Sequence, residues 1–313
     1  MRQKKIFFYI ILFSISFVIS SCVSAQELFE KGVAAENIGQ TLQAEQYYTA
    51  SIQADSNFLK SYNNRGLLYL DQDRYVDAAN DFDTALKKNP NYALALVNRG
   101  LVYDKQGNKK SAYSFYQNAT QADPQLLAAQ FNAAKTALEL HDGQKSVQYI
   151  KAALAIDSSD ESVRRLAARI YSATGQYSQS YQLYKQLYEA DNTDEEALVS
   201  LIETGRRSGK LQESIGYTEN FVKAKPACSE CVLLLSSLYF EDGRNDSAIS
   251  VVESAIKQMP DDAQLRFRLG LLYTKKGDTD KATSQLEEFL KLSKGQPASD
   301  IETAKELIAA QKK

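Results

Sequence analysis

The residues of this 313-residue chain best suited to chemistry are a cysteine pair, three evenly spaced asparagines and one further cysteine. Cys228 and Cys231 form a Cys-x-x-Cys pair just after Pro226. Thiols at that spacing can close a local disulfide, exchange disulfides with another dithiol, or supply half of a tetrahedral zinc site. Asn64, Asn98 and Asn132 recur at one constant interval, thirty-four positions along the chain. A carboxamide offers both a donor and an acceptor, which suits the alternating amide and carbonyl groups of an extended peptide without selecting its side chains. Cys22 stands where an apolar run stops, a place where a thiol can accept a lipid.

Composition narrows these options. His141 is the single histidine and the cysteines number three, so multi-histidine metal centres and cysteine-rich zinc frameworks are excluded by count. Zinc wants four ligands, and His141 lies more than two of those intervals before Cys228, so no metal and no cofactor is expected. A thioredoxin-like role for the pair calls for a preceding strand in a parallel sheet, which the sequence pattern does not offer. A disulfide stapling a helix start suits an oxidising compartment; two free thiols are the other reading left open. The chain holds no Gly-rich phosphate loop closed by Lys-Ser or Lys-Thr, no His-Glu-x-x-His, no Gly-x-Ser-x-Gly and no calcium-binding loop. It is therefore read as non-enzymatic.

The elements that must position these residues follow one period. Gly32, Gly66, Gly100 and Gly270 are separated by the asparagine interval or a multiple of it, and so are Ala44, Ala78, Ala112, Ala248 and Ala282. Tyr69, Tyr103, Tyr171, Tyr239 and Tyr273 keep the same spacing, as do Pro90, Pro124, Pro226 and Pro260, and Gly107, Gly175, Gly209, Gly243 and Gly277. Cutting the chain at this period from Ala25 gives eight repeats ending at Gln296. In the second repeat Tyr62, Gly66 and Tyr69 share one helical face, Asp71-Gln72-Asp73 marks a turn, and Ala78, Phe82 and Ala85 share a second face. Each repeat thus reads as a helical hairpin in which small residues at the eighth and twentieth positions let backbones approach and aromatics fill the space beside them. Proline at the thirty-second position is expected to end one hairpin and to enter the first turn of the next helix. Ser299 and Glu302 have capping-box spacing, and Ile301, Ala304, Leu307 and Ile308 give an apolar stripe on a final helix through about Lys312. Gly205 stands where other repeats carry an aromatic, which predicts a soft spot around residues 200 to 216.

Leu96-Val97-Asn98-Arg99-Gly100-Leu101-Val102-Tyr103, followed by Gly107, Ala112, Tyr116, Ala119 and Pro124, resembles the signature of the tetratricopeptide repeat (TPR) family. The match covers 26–296 and is weakest in repeats 4 to 6, where Ala134, Ala168 and Ile202 replace the glycine. The resemblance implies an all-α fold, an α-α superhelix of eight 34-residue hairpins closed by a capping helix at 297–313. It also implies a concave wall of first helices that binds peptides, with Asn64, Asn98 and Asn132 as an asparagine ladder similar to one known in the family. Leu67, Leu70, Leu101 and Phe131 are the apolar neighbours of that ladder. The lysine-and-arginine clamp by which some members grip acidic chaperone tails is mostly missing: Phe29, Val33, Leu94 and Asn98 occupy its positions, and only Asn64 fits. Arg165, Arg169, Arg206 and Arg207 are read as a solvated face, with an acidic ligand as the other reading.

Arg2, Lys4 and Lys5 precede the fourteen-residue apolar run Ile6 to Ile19. A spanning helix needs about twenty apolar residues, so residues 1–25 read as an export signal. Val23-Ser24-Ala25 suits signal peptidase and a start at Gln26, whereas Ile19-Ser20-Ser21-Cys22 is similar to a bacterial lipoprotein box with Cys22 lipidated. Loss of three positive charges takes the net charge from -2 to -5, and an acidic surface argues against nucleic acid as partner. The expected function is a non-catalytic scaffold of the bacterial periplasm or outer membrane that binds a protein segment in its groove. The alternative is a lipid-anchored structural subunit of an outer-membrane or pilus assembly complex, working through its convex face or rim.

Overall fold

The computed structural model describes residues 23–311; Cys22 and most of the expected export signal lie outside the described residues. Among them are seventeen helices and no strand. The first four hairpins are α1 (Ala25–Asn37) with α2 (Thr41–Ala54), α3 (Leu59–Asp71) with α4 (Tyr75–Lys88), α5 (Ala93–Lys105) with α6 (Lys109–Ala122), and α7 (Leu127–Glu139) with α8 (Gly143–Ile156). The next four are α9 (Glu161–Ala173) with α10 (Tyr177–Ala190), α11 (Glu195–Arg207) with α12 (Leu211–Ala224), α13 (Ser229–Glu241) with α14 (Asn245–Gln258), and α15 (Ala263–Lys276) with α16 (Thr279–Lys291). The last helix is α17 (Ala298–Gln311). The chain forms two compact units, one ending at Val163 and one starting at Arg164. In the first, α3 packs on α5 and α5 on α7 as well as each on its own hairpin partner; in the second, α13 packs on α15 and α15 on α17.

The hairpin turn has a fixed geometry. Its third residue is left-handed in every repeat: Gly39, Gly107, Gly175, Gly209, Gly243 and Gly277 have φ between 74° and 82°, while Asp73 (58°) and His141 (61°) adopt it without being glycine. The lone histidine is thus a turn residue holding a conformation that costs an L side chain about 1–2 kcal/mol. Between repeats the chain turns on Asp or Asn: the carboxylate of Asp55 accepts from the Asn57 amide at 2.8 Å, and Asn89, Asp123, Asp157 and Asp191 repeat the arrangement. Pro90 and Pro124 lie in these turns and not, as expected, in the first turn of the following helix, because α5 and α7 begin three residues later.

Inside each hairpin the eighth and twenty-fourth residues are matched in volume. A Cβ on Gly32, Gly66 or Gly100 would stand 2.5 Å from a ring carbon of Tyr48, Phe82 or Tyr116 respectively. In repeat 4 the pair is Ala134 and Ile150, and in repeat 6 the order inverts to Ile202 and Thr218, all of them buried. Gly205 has its own reason. Tyr181 reaches across from α10 to within 3.1 Å of where its Cβ would lie, and the Ser214 hydroxyl is closer still. The space left by the missing aromatic is therefore occupied by a buried tyrosine from the preceding repeat, whose hydroxyl donates to Glu213 at 2.9 Å.

The final helix packs Ala304 and Ile308 against Leu286, Phe289 and Ala263. The expected capping box does not form. The first helical amides go to the Pro297 carbonyl, so the helix starts at Ala298 and Ser299 lies within its first turn, its hydroxyl donating to Asp300 at 3.3 Å.

Candidate binding faces

The three asparagines are placed on first helices as their spacing requires, but they do not form three equivalent free rungs. Asn98 is buried, and its Nδ2 donates to Oδ1 of Asn63 on the preceding first helix at 2.7 Å. Asn63, also buried, donates to Asn64 Oδ1 at 3.3 Å; Asn64 donates to the Tyr48 hydroxyl at 3.4 Å, and Tyr48 donates to Glu36 at 2.5 Å. The result is a relay of side chains from α5 through α3 to α2 and α1. Each amide that leaves water finds a partner, which is the condition for burying it without large cost. Burial and then the bond to Glu36 hold the Tyr48 hydroxyl well above the ordinary tyrosine range, so it stays a donor. Asn132 stands apart, its Nδ2 turned back to the Ala128 carbonyl of its own helix at 2.9 Å. The relay stops at Asn98 because the residue before it is Val97, not a second asparagine. The Asn63-Asn64 doublet was the available signal for this, and reading only the sixth position missed it.

The apolar candidates divide in the same way. Leu70 is buried, and Leu67 and Leu101 pack against the cluster of Tyr69, Leu70, Phe82 and Val102. Phe131 is half-buried and Leu94 is exposed. Of these candidates Asn64, Asn132 and Phe131 are partly exposed and Leu94 is exposed.

Other polar side chains join one hairpin to the next. The Tyr69 hydroxyl donates to Glu45 at 2.9 Å, while the Arg74 guanidinium lies 4.0 Å over the Tyr69 ring and 3.3 Å from Glu45. Tyr239 repeats this with Glu219 at 2.7 Å under Arg244, and Tyr273 with Glu253 under Lys281. Burial, reinforced by the neighbouring carboxylate, pushes each of these three tyrosines up to about 12.

In the second unit three of the four arginines, all but Arg169, are answered locally. Arg165 bonds Asp194 at 2.7 Å, Arg206 bonds Glu241 at 2.7 Å and Glu203 at 3.2 Å, and Arg207 bonds Glu203 at 2.6 Å and the Tyr177 hydroxyl at 2.8 Å. Charge so neutralised presents little field to an acidic ligand. Cys228 and Cys231 are joined as a disulfide with their Cα atoms 5.3 Å apart. Cys228 is the residue before α13, and its sulfur accepts the Cys231 amide at 3.3 Å. No group of three or more metal-ligating side chains is found among the described residues.

Paired helices whose buried glycine, alanine and aromatic positions recur with one period, and whose first-helix side chains are left open beside them, define a helical-repeat protein of the kind that holds other proteins. Models of the tetratricopeptide repeat match residues 63–126, 165–198 and 239–298, and the chain belongs to that family. Among solved structures it is similar to pilF of Pseudomonas aeruginosa, with 16% identity and a TM-score of 0.55 over 66% of this chain and 94% of that one. A tetratricopeptide repeat protein from Parabacteroides merdae is 17% identical over 92% of this chain and 99% of its own, with a TM-score of 0.47. No curated protein matches the sequence. At 16% identity the likeness to pilF is one of fold.

Proposed function

We propose that the protein is a non-catalytic interaction scaffold of the bacterial envelope that holds an extended segment of a partner protein. The observation that carries this reading is the open first-helix face of a tetratricopeptide array. Leu94 and Phe131 offer apolar surface, Asn64 and Asn132 are partly exposed carboxamides that each already hold one bond to Tyr48 or to Ala128, and Asn63, Asn98 and Leu70 are committed to the interior. A face already held in shape by the relay below it loses little conformational entropy on binding. The test is crosslinking of the mature protein in its native envelope, followed by mass spectrometry of the captured peptides, with Asn64→Ala, Asn132→Ala and Leu94→Glu combined in one variant. Loss of the crosslinks with an unchanged circular dichroism spectrum supports the reading. Retention of the crosslinks places the partner elsewhere.

The N-terminus supports lipid anchoring. The Ser24 hydroxyl caps α1 by accepting the Glu27 amide at 3.1 Å, and the Ala25 carbonyl accepts the Ser51 hydroxyl at 2.7 Å. Cleavage between Ala25 and Gln26 would remove both; processing before Cys22 keeps both. Loss of a serine cap costs about 1 kcal/mol. Fatty-acid labelling that vanishes in Cys22→Ala would support this processing, and absence of label in the wild type would exclude it. The second reading, a structural subunit docking by its rim, is favoured by one observation: Ile38, Leu42 and Val76, at or beside hairpin turns of the first unit, are at least 70% exposed. Leu42→Glu with Val76→Glu would abolish assembly on that reading and leave segment binding intact.

A further inference from the structure

In the second unit α11, α12 and α13 enclose a small pocket of about 120 Å³ walled by Leu198, Val199, Thr218, Phe221, Leu234 and the Cys228–Cys231 disulfide, with Glu195 and Glu230 at its mouth. Val199 is 59% exposed, an unusual place for a large aliphatic side chain. By repeat register Val199 takes the position of Val97 and Phe131, and Leu234 that of Asn98 and Asn132. Here the face is apolar where the first unit has amides.

We infer that this pocket receives one aliphatic side chain of the partner segment, flanked in that segment by lysine or arginine. The inference rests on the scaffold reading and names the chemistry of the segment. Its walls supply apolar surface for a single side chain, and burying a leucine accounts for about tenfold or more in affinity. The flank is cationic because two carboxylates, Glu195 and Glu230 in the first turns of α11 and α13, line the pocket. Lys225 is bonded to Glu195. Glu230 is exposed and has no ion pair among the described residues, which leaves its charge for a cationic side chain of the segment. The helix N-termini do not turn the mouth into an anion site, because the Asp194 carboxylate and the Cys228 sulfur already accept the Ala197 and Cys231 amides. The disulfide joins the residue before α13 to its first turn and so fixes one wall of the pocket.

The experiment uses the mature protein and fluorescent peptides followed by anisotropy at low and high salt. One peptide carries a leucine between two lysines, a second has glycine for the leucine, and a third has glutamates for the lysines. The first should bind about tenfold more tightly than either of the others. Glu230→Lys and Val199→Glu, both substitutions of exposed side chains, should each weaken it about tenfold, and added salt should weaken it further. Equal affinity for all three peptides overturns the proposal, and so does binding indifferent to both substitutions. If the leucine peptide instead responds to Asn64→Ala with Asn132→Ala and not to Val199→Glu, the pocket fails while the scaffold reading stands. If native partners are captured by the wild type and by Val199→Glu alike, the pocket again fails and the scaffold survives.

Discussion

Gly66→Ala measures directly whether the eighth and twenty-fourth positions set the spacing of a hairpin. A Cβ at Gly66 would lie 2.5, 2.8 and 3.0 Å from three carbons of the Phe82 ring. Ordinary carbon contacts are about 3.5–4.0 Å, so the ring must retreat by about 1 Å, yet Phe82 has no exposed surface and no free direction to take. Overpacking of this kind costs about 1–3 kcal/mol. Alanine returns about 1 kcal/mol of helix propensity over glycine, which leaves a net loss of about 1 kcal/mol. Phe82→Ile alone loses apolar contact and also destabilises. Combined, the two reproduce the Ala134 and Ile150 pair of repeat 4, and the cycle should show a favourable coupling of about 1 kcal/mol or more. Repeat arrays open locally, so the assay is amide hydrogen exchange resolved over α3 and α4, supported by urea denaturation. Stabilisation by Gly66→Ala, as at an exposed helix glycine, or strict additivity of the two substitutions, would refute the reasoning.

Three further outcomes are expected. Asp81→Ala should cost about 3 kcal/mol in urea denaturation, because Arg65 grips Asp81 through two bonds of 2.7 and 2.8 Å with both side chains largely buried, and removal strands the guanidinium. Asp83→Ala should cost less, about 1 kcal/mol, since that carboxylate is 42% exposed and Arg99, which it bonds at 2.9 Å, keeps the Tyr103 hydroxyl as acceptor. His141→Gly should stabilise by up to about 1 kcal/mol by relieving a left-handed turn residue, as scored by the thermal midpoint. Tyr69, Tyr239 and Tyr273 are held near 12, above the ordinary value of 10. Their contribution is therefore complete below pH 10 and drains away between pH 10 and 12. Replacing all three by phenylalanine should flatten that part of a stability-against-pH curve, and an unchanged slope would remove the tyrosines as its cause.

The fold was legible because it is periodic. Glycine, alanine, tyrosine and proline each keep one common interval, and a face of one repeat predicts the face of the next. What was not legible belongs to contacts between repeats. Tyr181 filling the space beside Gly205 comes from the preceding hairpin, and no spacing within repeat 6 announces it. Glu45, Glu219 and Glu253 sit on second helices with no signature until the tyrosine of the next repeat is placed over them. The capping box expected at Ser299 does not form, because the helix begins at Ala298 and the Pro297 carbonyl accepts its first amides, which leaves Ser299 inside the first turn. The turn position of His141 could have been found by aligning it with Gly107 and Gly175, where left-handed backbone is the common demand.

The asparagines show why a site is harder to read than a fold. Periodicity says that Asn64, Asn98 and Asn132 share a register position, but the use of each amide is decided by the residue one place earlier on the neighbouring helix. Where that residue is Asn63, the next repeat's Asn98 is drawn inward and spent on joining hairpins. Where it is Val97, the following Asn132 has no such partner and turns to its own helix. In repeats 6 and 7 the same two positions are Val199 with Ser200 and Leu233 with Leu234, and apolar surface remains at the face, whereas in repeat 8 the sixth-position Arg268 donates to the buried Ser236 hydroxyl of the preceding first helix at 3.2 Å. Two neighbouring positions thus decide, repeat by repeat, whether a first helix stitches the array or offers surface to a partner. Within one family and one backbone geometry, specificity can move along the array by exchanging those two residues alone.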